Sequence, residues 1–218
     1  MRRIKLWAAA AAVFGLSLIG EIFGQTVGDE VVVFVKQTDL KHETTTVKTA
    51  YRGTYLTVKK VNGNWLWVEL SETQGWLNKD HVIPASQGIK YFTNELRRNS
   101  KDTTALVARA EAWNNKGEFT NAIKDCTEAI AIDSRSSGAF SARGHAWKRK
   151  GEYGIAIADY TEAIRLDPMW GGYYFGRAKC HSLNKNEQAS IADVTEAIRL
   201  NPKDADYFEY RAMAHGQN

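Results

Sequence analysis

The decamer "DYTEAIRLDP", residues 159–168, is written three times in this chain, near enough. "DCTEAIAIDS" fills 125–134 and "DVTEAIRLNP" fills 193–202, so the copies stand 34 residues apart. Single columns keep the same step beyond the decamer. Arg109, Arg143, Arg177 and Arg211 form one column, and Asp125, Asp159 and Asp193 form another. Trp113, Trp147, His181 and His215 form a third. Gly117 and Gly151 share a fourth, with Lys185 in the next unit. A period of this length is that of a helix–turn–helix unit, which cannot bury its apolar stripe alone and must stack on its neighbours.

The helical spacing is legible inside one unit. Phe140, Arg143, Gly144 and Trp147 lie at i, i+3, i+4 and i+7, and Lys150-Gly151-Glu152 then interrupts the helix. Ala156, Tyr160, Ala163 and Ile164 repeat the spacing on a second helix, which Asp167-Pro168 stops. The small residues Gly144, Ala156 and Ala163 permit close approach of the two helices, and Trp147 and Tyr160 are expected to fill the space between units. Because each arginine and its aspartate keep one register, the pairs Arg109–Asp125, Arg143–Asp159 and Arg177–Asp193 are expected across the hairpins. Their expected role is specificity of packing, since desolvation offsets much of a buried pair's attraction.

These columns resemble the tetratricopeptide repeat. Unit 137–170 matches best, with Gly144, Ala156, Ala163 and Pro168 in the signature columns. Unit 103–136 departs at Ala110 and Ser134, and unit 171–204 departs at Ala178, Lys185 and Ser190. "YFTNELRRNS", 91–100, aligns with 159–168, so residues 86–98 read as an orphan second helix that links and caps the stack. Residues 205–218 read as a C-terminal half-repeat. The resemblance implies a solenoid whose first helices line a concave face. The inward residues are then Val107, Glu111 and Asn114, followed by Ser141, His145, Lys148 and Arg149, then Phe175, Lys179 and Ser182, and finally Glu209 and Met213. Such a face, mildly basic at its middle, suits an acidic or C-terminal segment of another protein.

Residues 27–84 have another texture. Val31–Val35 is apolar and β-branched, "TYLTVKKV" at 54–61 alternates, and Asn62-Gly63-Asn64 supplies a tight turn before Trp65–Leu70 returns. Several short strands in a segment this size point to a small barrel. "GTYLTVKKVNGNWLWVEL" with the later Gly75-Trp76-Leu77 resembles a bacterial SH3-like domain, and the resemblance implies a binding module outside the cytoplasm. Trp65 and Trp67 share one strand face, opposite Leu66 and Val68. The helix at 86–98 is expected to cover these indoles, the alternative being an exposed ligand platform. The fold class is thus α+β, multidomain: an SH3-like β-barrel, then an all-α solenoid of about three helix pairs with capping half-repeats.

The first residues look like an export leader. Arg2, Arg3 and Lys5 precede an apolar run from Leu6 to Gly20. That length fits a signal peptide's core, which takes about 7–15 residues, better than a spanning helix of roughly 20. Residues 1–24 are expected to be a cleaved signal or, alternatively, an inner-membrane anchor. The protein is expected in the periplasm or cell envelope, with its domains outside the cytoplasm. The chain's net charge of +4 falls to +2 outside this leader, which holds three basic residues and Glu21. So neutral a body gives no electrostatic case for nucleic acid.

Cys126 and Cys180, the chain's two cysteines, read as small buried hydrophobes. The repeated Asp-x-Thr-Glu sets belong to separate units, whereas acid–base catalysis needs carboxylates converging on one site. The histidines lack metal-ligand spacing. No catalytic residue, cofactor or metal is expected. The expected work is non-enzymatic: binding other proteins or peptides, or, alternatively, gripping cell-wall peptidoglycan through the SH3-like domain with the repeats as spacer.

Overall fold

A computed structural model describes residues 28–70 and 73–216. Residues 1–24, expected from the sequence to be an export leader, lie outside them, and among the described residues no helix is long and apolar enough to cross a membrane. The chain divides into two compact units, one of strands and one of helices.

The first unit is an antiparallel sheet of seven strands: β1 (Glu30–Val33), β2 (Gln37–His42), β3 (Thr45–Tyr51), β4 (Tyr55–Asn62), β5 (Trp65–Leu70), β6 (Thr73–Asn78) and β7 (Val82–Pro84). Their hydrogen-bonded order is β3-β2-β6-β5-β4-β1-β7. Gly63, at φ 57°, makes the turn between β4 and β5, where a side chain would strain the backbone. One face of the strands feeds a single core that includes Val31, Leu40, Leu56, Val68, Leu77 and Val82. The barrel expected from the sequence needs correcting here. β3 and β7, at the two ends of the strand order, do not pair, so the sheet stays open. A closing ladder has little to use on β7, a three-residue strand that ends at Pro84, which has no N–H to donate.

The helical unit runs α1 (Gly88–Arg98), α2 (Thr103–Lys116), α3 (Phe119–Ile132), α4 (Ser137–Arg149), α5 (Tyr153–Leu166), α6 (Gly171–Leu183), α7 (Glu187–Leu200) and α8 (Ala205–Gly216). Asp102, Ser136 and Asn186 cap α2, α4 and α7 through side-chain oxygens that accept backbone N–H groups. Gly117 and Gly151 turn the chain inside the first two hairpins at φ 81° and 85°, and Lys185 is held at φ 60° in the third. A side chain in that left-handed region costs about 1 kcal/mol or more. α2 packs on α3, α4 on α5 and α6 on α7, and each hairpin packs on the next. First helices also touch directly, α2 with α4 and α4 with α6, whereas no contact of that extent joins second helices.

Interior packing alternates large with small. Alanines fill the hairpin cores: Ala105, Ala108, Ala110, Ala122, Ala129, Ala142, Ala156, Ala163 and Ala197 are buried. Tyr160, itself buried, lies against Gly176, where an added Cβ would collide with the ring. Ser190, in the alanine column of the third unit, is buried with its hydroxyl donating to the Ala178 carbonyl at 2.9 Å. Trp113 and Trp147 are half-buried against the clusters around Cys126 and Tyr160.

The arginine and aspartate columns meet. Arg109 Nε and Nη2 donate to both Asp125 oxygens at 2.7 and 2.8 Å. Arg143 does the same to Asp159 at 2.9 and 2.8 Å, and Arg177 to Asp193 at 2.8 and 2.7 Å. The remaining Nη1 reaches a threonine on the preceding second helix: Thr93, Thr127 and Thr161 respectively. The aspartate side chains keep 5–9% of their exposure. Replacing Arg143 by Met strands Asp159 without its counter-ion, and urea denaturation should show a loss of about 3 kcal/mol or more. Arg165→Ala, which breaks the exposed Glu162–Arg165 pair, should leave the urea midpoint nearly unchanged.

Candidate binding face on the first helices

The face shared by α2, α4 and α6 carries the residues singled out from the sequence, and it sorts them. On α2, Glu111 is recessed, and burial pushes its carboxyl above the usual range, against a hydrogen bond from Asn114. Asn114 is buried, and its Nδ2 donates to the Ala142 carbonyl at 3.0 Å, so it ties α2 to α4. The Ser182 hydroxyl on α6 donates to Glu187 at 3.1 Å. These two residues, read from the sequence as lining, serve the scaffold instead.

His145, Lys148, Arg149 and Lys179 come together. Burial first, and then Lys148, Arg149 and Lys179, lower His145 from 6.5 to about 4. Lys148 is lowered by burial and by Lys179, with a smaller push from Arg149. Lys179 is lowered by burial, while Asp206 and Asp204 draw it back up. Arg149 lies over the Phe119 ring, 5.0 Å from its centroid. Four basic groups thus share a half-desolvated surface, with Asp204 and Asp206 beside Lys179.

Phe175 lies beneath this cluster. Lys179 Nζ sits 3.8 Å from its ring centroid, and Tyr207 and Tyr210 of α8 pack on it at 4.6 and 5.3 Å. The sequence reading missed both tyrosines and both aspartates. Glu209, singled out instead, is exposed on α8 and makes no hydrogen bond or ion pair with the cluster among the described residues. His181, in the tryptophan column, is half-buried with Nε2 3.7 Å from Asp193.

A model of the tetratricopeptide repeat matches residues 85–137 and 142–205, more than half of the chain. The chain belongs to the tetratricopeptide repeat family. No curated protein matches it in sequence. Solved tetratricopeptide structures share the fold at low identity. MamA (41-end) from Desulfovibrio magneticus RS-1 is 14% identical with a TM-score of 0.56, over 61% of this chain and 75% of that one. The tetratricopeptide protein TTC0263 from Thermus thermophilus is 18% identical with a TM-score of 0.54, over 60% and 72%. The first tetratricopeptide domain of Spaghetti (RPAP3), solved bound to the HSP90 peptide SRMEEVD, is 16% identical with a TM-score of 0.52, over 55% and 94%. Tetratricopeptide arrays are scaffolds for contact between proteins.

The sheet unit carries a second candidate. A cleft of about 300 Å³ is lined by Thr38, Asp39, Lys41, Trp65, Asn78 and His81, with Gln37 at its side. Thr38 Oγ1 and His81 Nδ1 are hydrogen-bonded at 2.8 Å. Trp65 is 46% exposed, contrary to the expectation that both indoles are covered. Only Trp67 is half-buried, edge-on to Trp76 at 5.3 Å and to His42 at 5.7 Å. The strand face that carries them is the polar one, so cover comes from neighbouring side chains and stops short of Trp65.

The depressed His145 gives the helical unit an acid limit. The unfolded chain takes that proton near pH 6.5 and the folded one near pH 4, so folding is progressively disfavoured as pH falls through that window and is unpenalised above it. Thermal melts of the full chain should show His145→Gln losing less stability than the original protein between pH 6.5 and 4, with equal stability changes above pH 7.

Proposed function

We propose that this protein is an exported scaffold that holds an acidic peptide segment of a partner protein on the first-helix face, the concave side of its repeat array. The observation that carries the reading is the convergence of His145, Lys148, Arg149 and Lys179 on one half-desolvated patch, where burial lowers all but Arg149 and neighbouring cations lower His145 and Lys148 further. A bound carboxylate supplies the missing counter-charge and turns that electrostatic cost into affinity and orientation. Phe175, held by Tyr207 and Tyr210, offers an apolar surface beside the charges. The acidic peptide on the RPAP3 domain is a precedent for the class of ligand. The leader-like residues 1–24 support placement in the periplasm or cell envelope, with retention as an inner-membrane anchor the alternative.

Calorimetry with the peptide SRMEEVD as an acidic probe tests the face. Lys148→Glu combined with Lys179→Glu should weaken binding about tenfold or more, and added salt should weaken the unmodified protein's binding. Equal affinity in the two proteins removes the basic cluster from the reading.

The open cleft beside Trp65 favours a second reading, in which the sheet unit is an SH3-like module that grips peptidoglycan and the repeats act as spacer. An exposed indole flanked by Asp39, Lys41 and Asn78 combines an apolar platform with hydrogen-bonding groups. Purified cell wall should sediment the protein, and Trp65→Ala should abolish that sedimentation. Undiminished sedimentation of the variant discards the cleft.

A further inference from the structure

The first unit lacks an aromatic ring that its sister units have. The column three residues before each repeat arginine reads Leu106, Phe140, Tyr174 and Phe208. In the later units the guanidinium lies over the ring of its own column partner: Arg143 over Phe140 at 5.5 Å, Arg177 over Tyr174 at 5.8 Å and Arg211 over Phe208 at 5.6 Å. Arg109 keeps the in-plane bonds of its column, to Asp125 and to Thr93, but Leu106 offers it no ring. Leu106 is instead withdrawn into the core with Leu96 and Ala105.

The space is left open. A hollow of about 230 Å³ remains, lined by Thr93, Leu96 and Arg97 of α1, Leu106 and Arg109 of α2, and Glu128 of α3, with Ser100 at its edge. Its polar rim is also altered relative to the sister units. Glu162 and Glu196 each bind an arginine three residues on, Arg165 and Arg199, whereas Glu128 has Ala131 in that position. Arg97, at the opposite rim, donates to Asn94, which stands where the later units have glutamate.

We propose that this hollow receives an aromatic side chain from a partner peptide, which takes the place that Phe140, Tyr174 and Phe208 fill in the other units. The ring stacks on the Arg109 guanidinium, already fixed in orientation by Asp125, and its edge meets Leu96 and Leu106. Glu128 and Ser100 stand at the mouth to bond the backbone of the peptide that presents the ring. An aliphatic side chain fits the floor but gains nothing from the cation. The basic cluster of α4 and α6 takes no part, so the two sites succeed or fail separately.

The test is an NMR titration of the isotope-labelled full chain with N-acetyl-phenylalaninamide and, in parallel, N-acetyl-leucinamide. The phenylalanine probe should shift signals of Thr93, Ser100 and Arg109 and bind about three- to fivefold tighter than the leucine probe, the ratio expected of a cation–π contact near the surface. Leu106→Phe, which supplies the ring from within, should abolish those shifts while leaving the response of Lys148 and Lys179 to SRMEEVD unchanged. Equal binding of the two probes to the unmodified protein overturns the proposal, whether or not the variant folds. So does undiminished binding to a folded Leu106→Phe protein.

Discussion

Arg109, Arg143 and Arg177 each touch three helices at once. Each grows from a first helix, grips both oxygens of an aspartate on the second helix of its own hairpin, and reaches a threonine on the second helix before it. The threonine stands 16 residues before the arginine, and the aspartate 16 residues after it. A guanidinium is planar and its donors are fixed in direction, so it tolerates little variation in how the three helices are spaced. The helices can slide along an alanine-rich interface with small loss, but they cannot slide without stranding a buried carboxylate. The array's regularity rests on this geometry more than on the apolar contacts around it.

The same constraint separates scaffold from surface. Residues that point between helices are consumed: Asn114 by the Ala142 carbonyl, Ser182 by Glu187, Ser190 by Ala178. The first-helix face still carries the basic cluster, the aromatic group about Phe175 and the recessed Glu111. The cluster is electrostatically unfavourable on its own, as the depressed His145, Lys148 and Lys179 record. A scaffold held by interior ion pairs fixes the backbone positions from which these side chains project, so the helices cannot separate to relieve the surface.

The helical half of the molecule was legible in the sequence because it is written repeatedly. One degenerate unit says little, but columns at Arg143, Asp159 and Trp147 that recur in register establish hairpins, their order and the pairing across them. The sheet was legible only as strands. Alternation at Leu56–Val58 and Leu66–Val68 places side chains on faces, but no local signal says whether β3 meets β7, since that depends on strand length and edge chemistry far apart in the chain. The site was half legible for a similar reason. Family position marks His145, Lys148 and Lys179, whereas Tyr207 and Tyr210 approach Phe175 only through the packing of α8 on α7. Asn114 was misread because its position in the period is the same whether it bonds a ligand or a neighbouring carbonyl.

The notch between Tyr160 and Gly176 carries a consequence for how such an array grows or shrinks. The polar lattice is interchangeable: were residues 137–170 excised, Thr127 would stand before Arg177 just as Thr161 does now. The apolar faces are not interchangeable. Cys126 meets Ala142 in one junction, while Tyr160 needs the bare backbone of Gly176 in the next. The excised protein would set the small thiol opposite the glycine and enclose an empty space the size of the lost ring. Hydrogen bonds therefore let any unit follow any other, and side-chain volume alone dictates which neighbour it accepts.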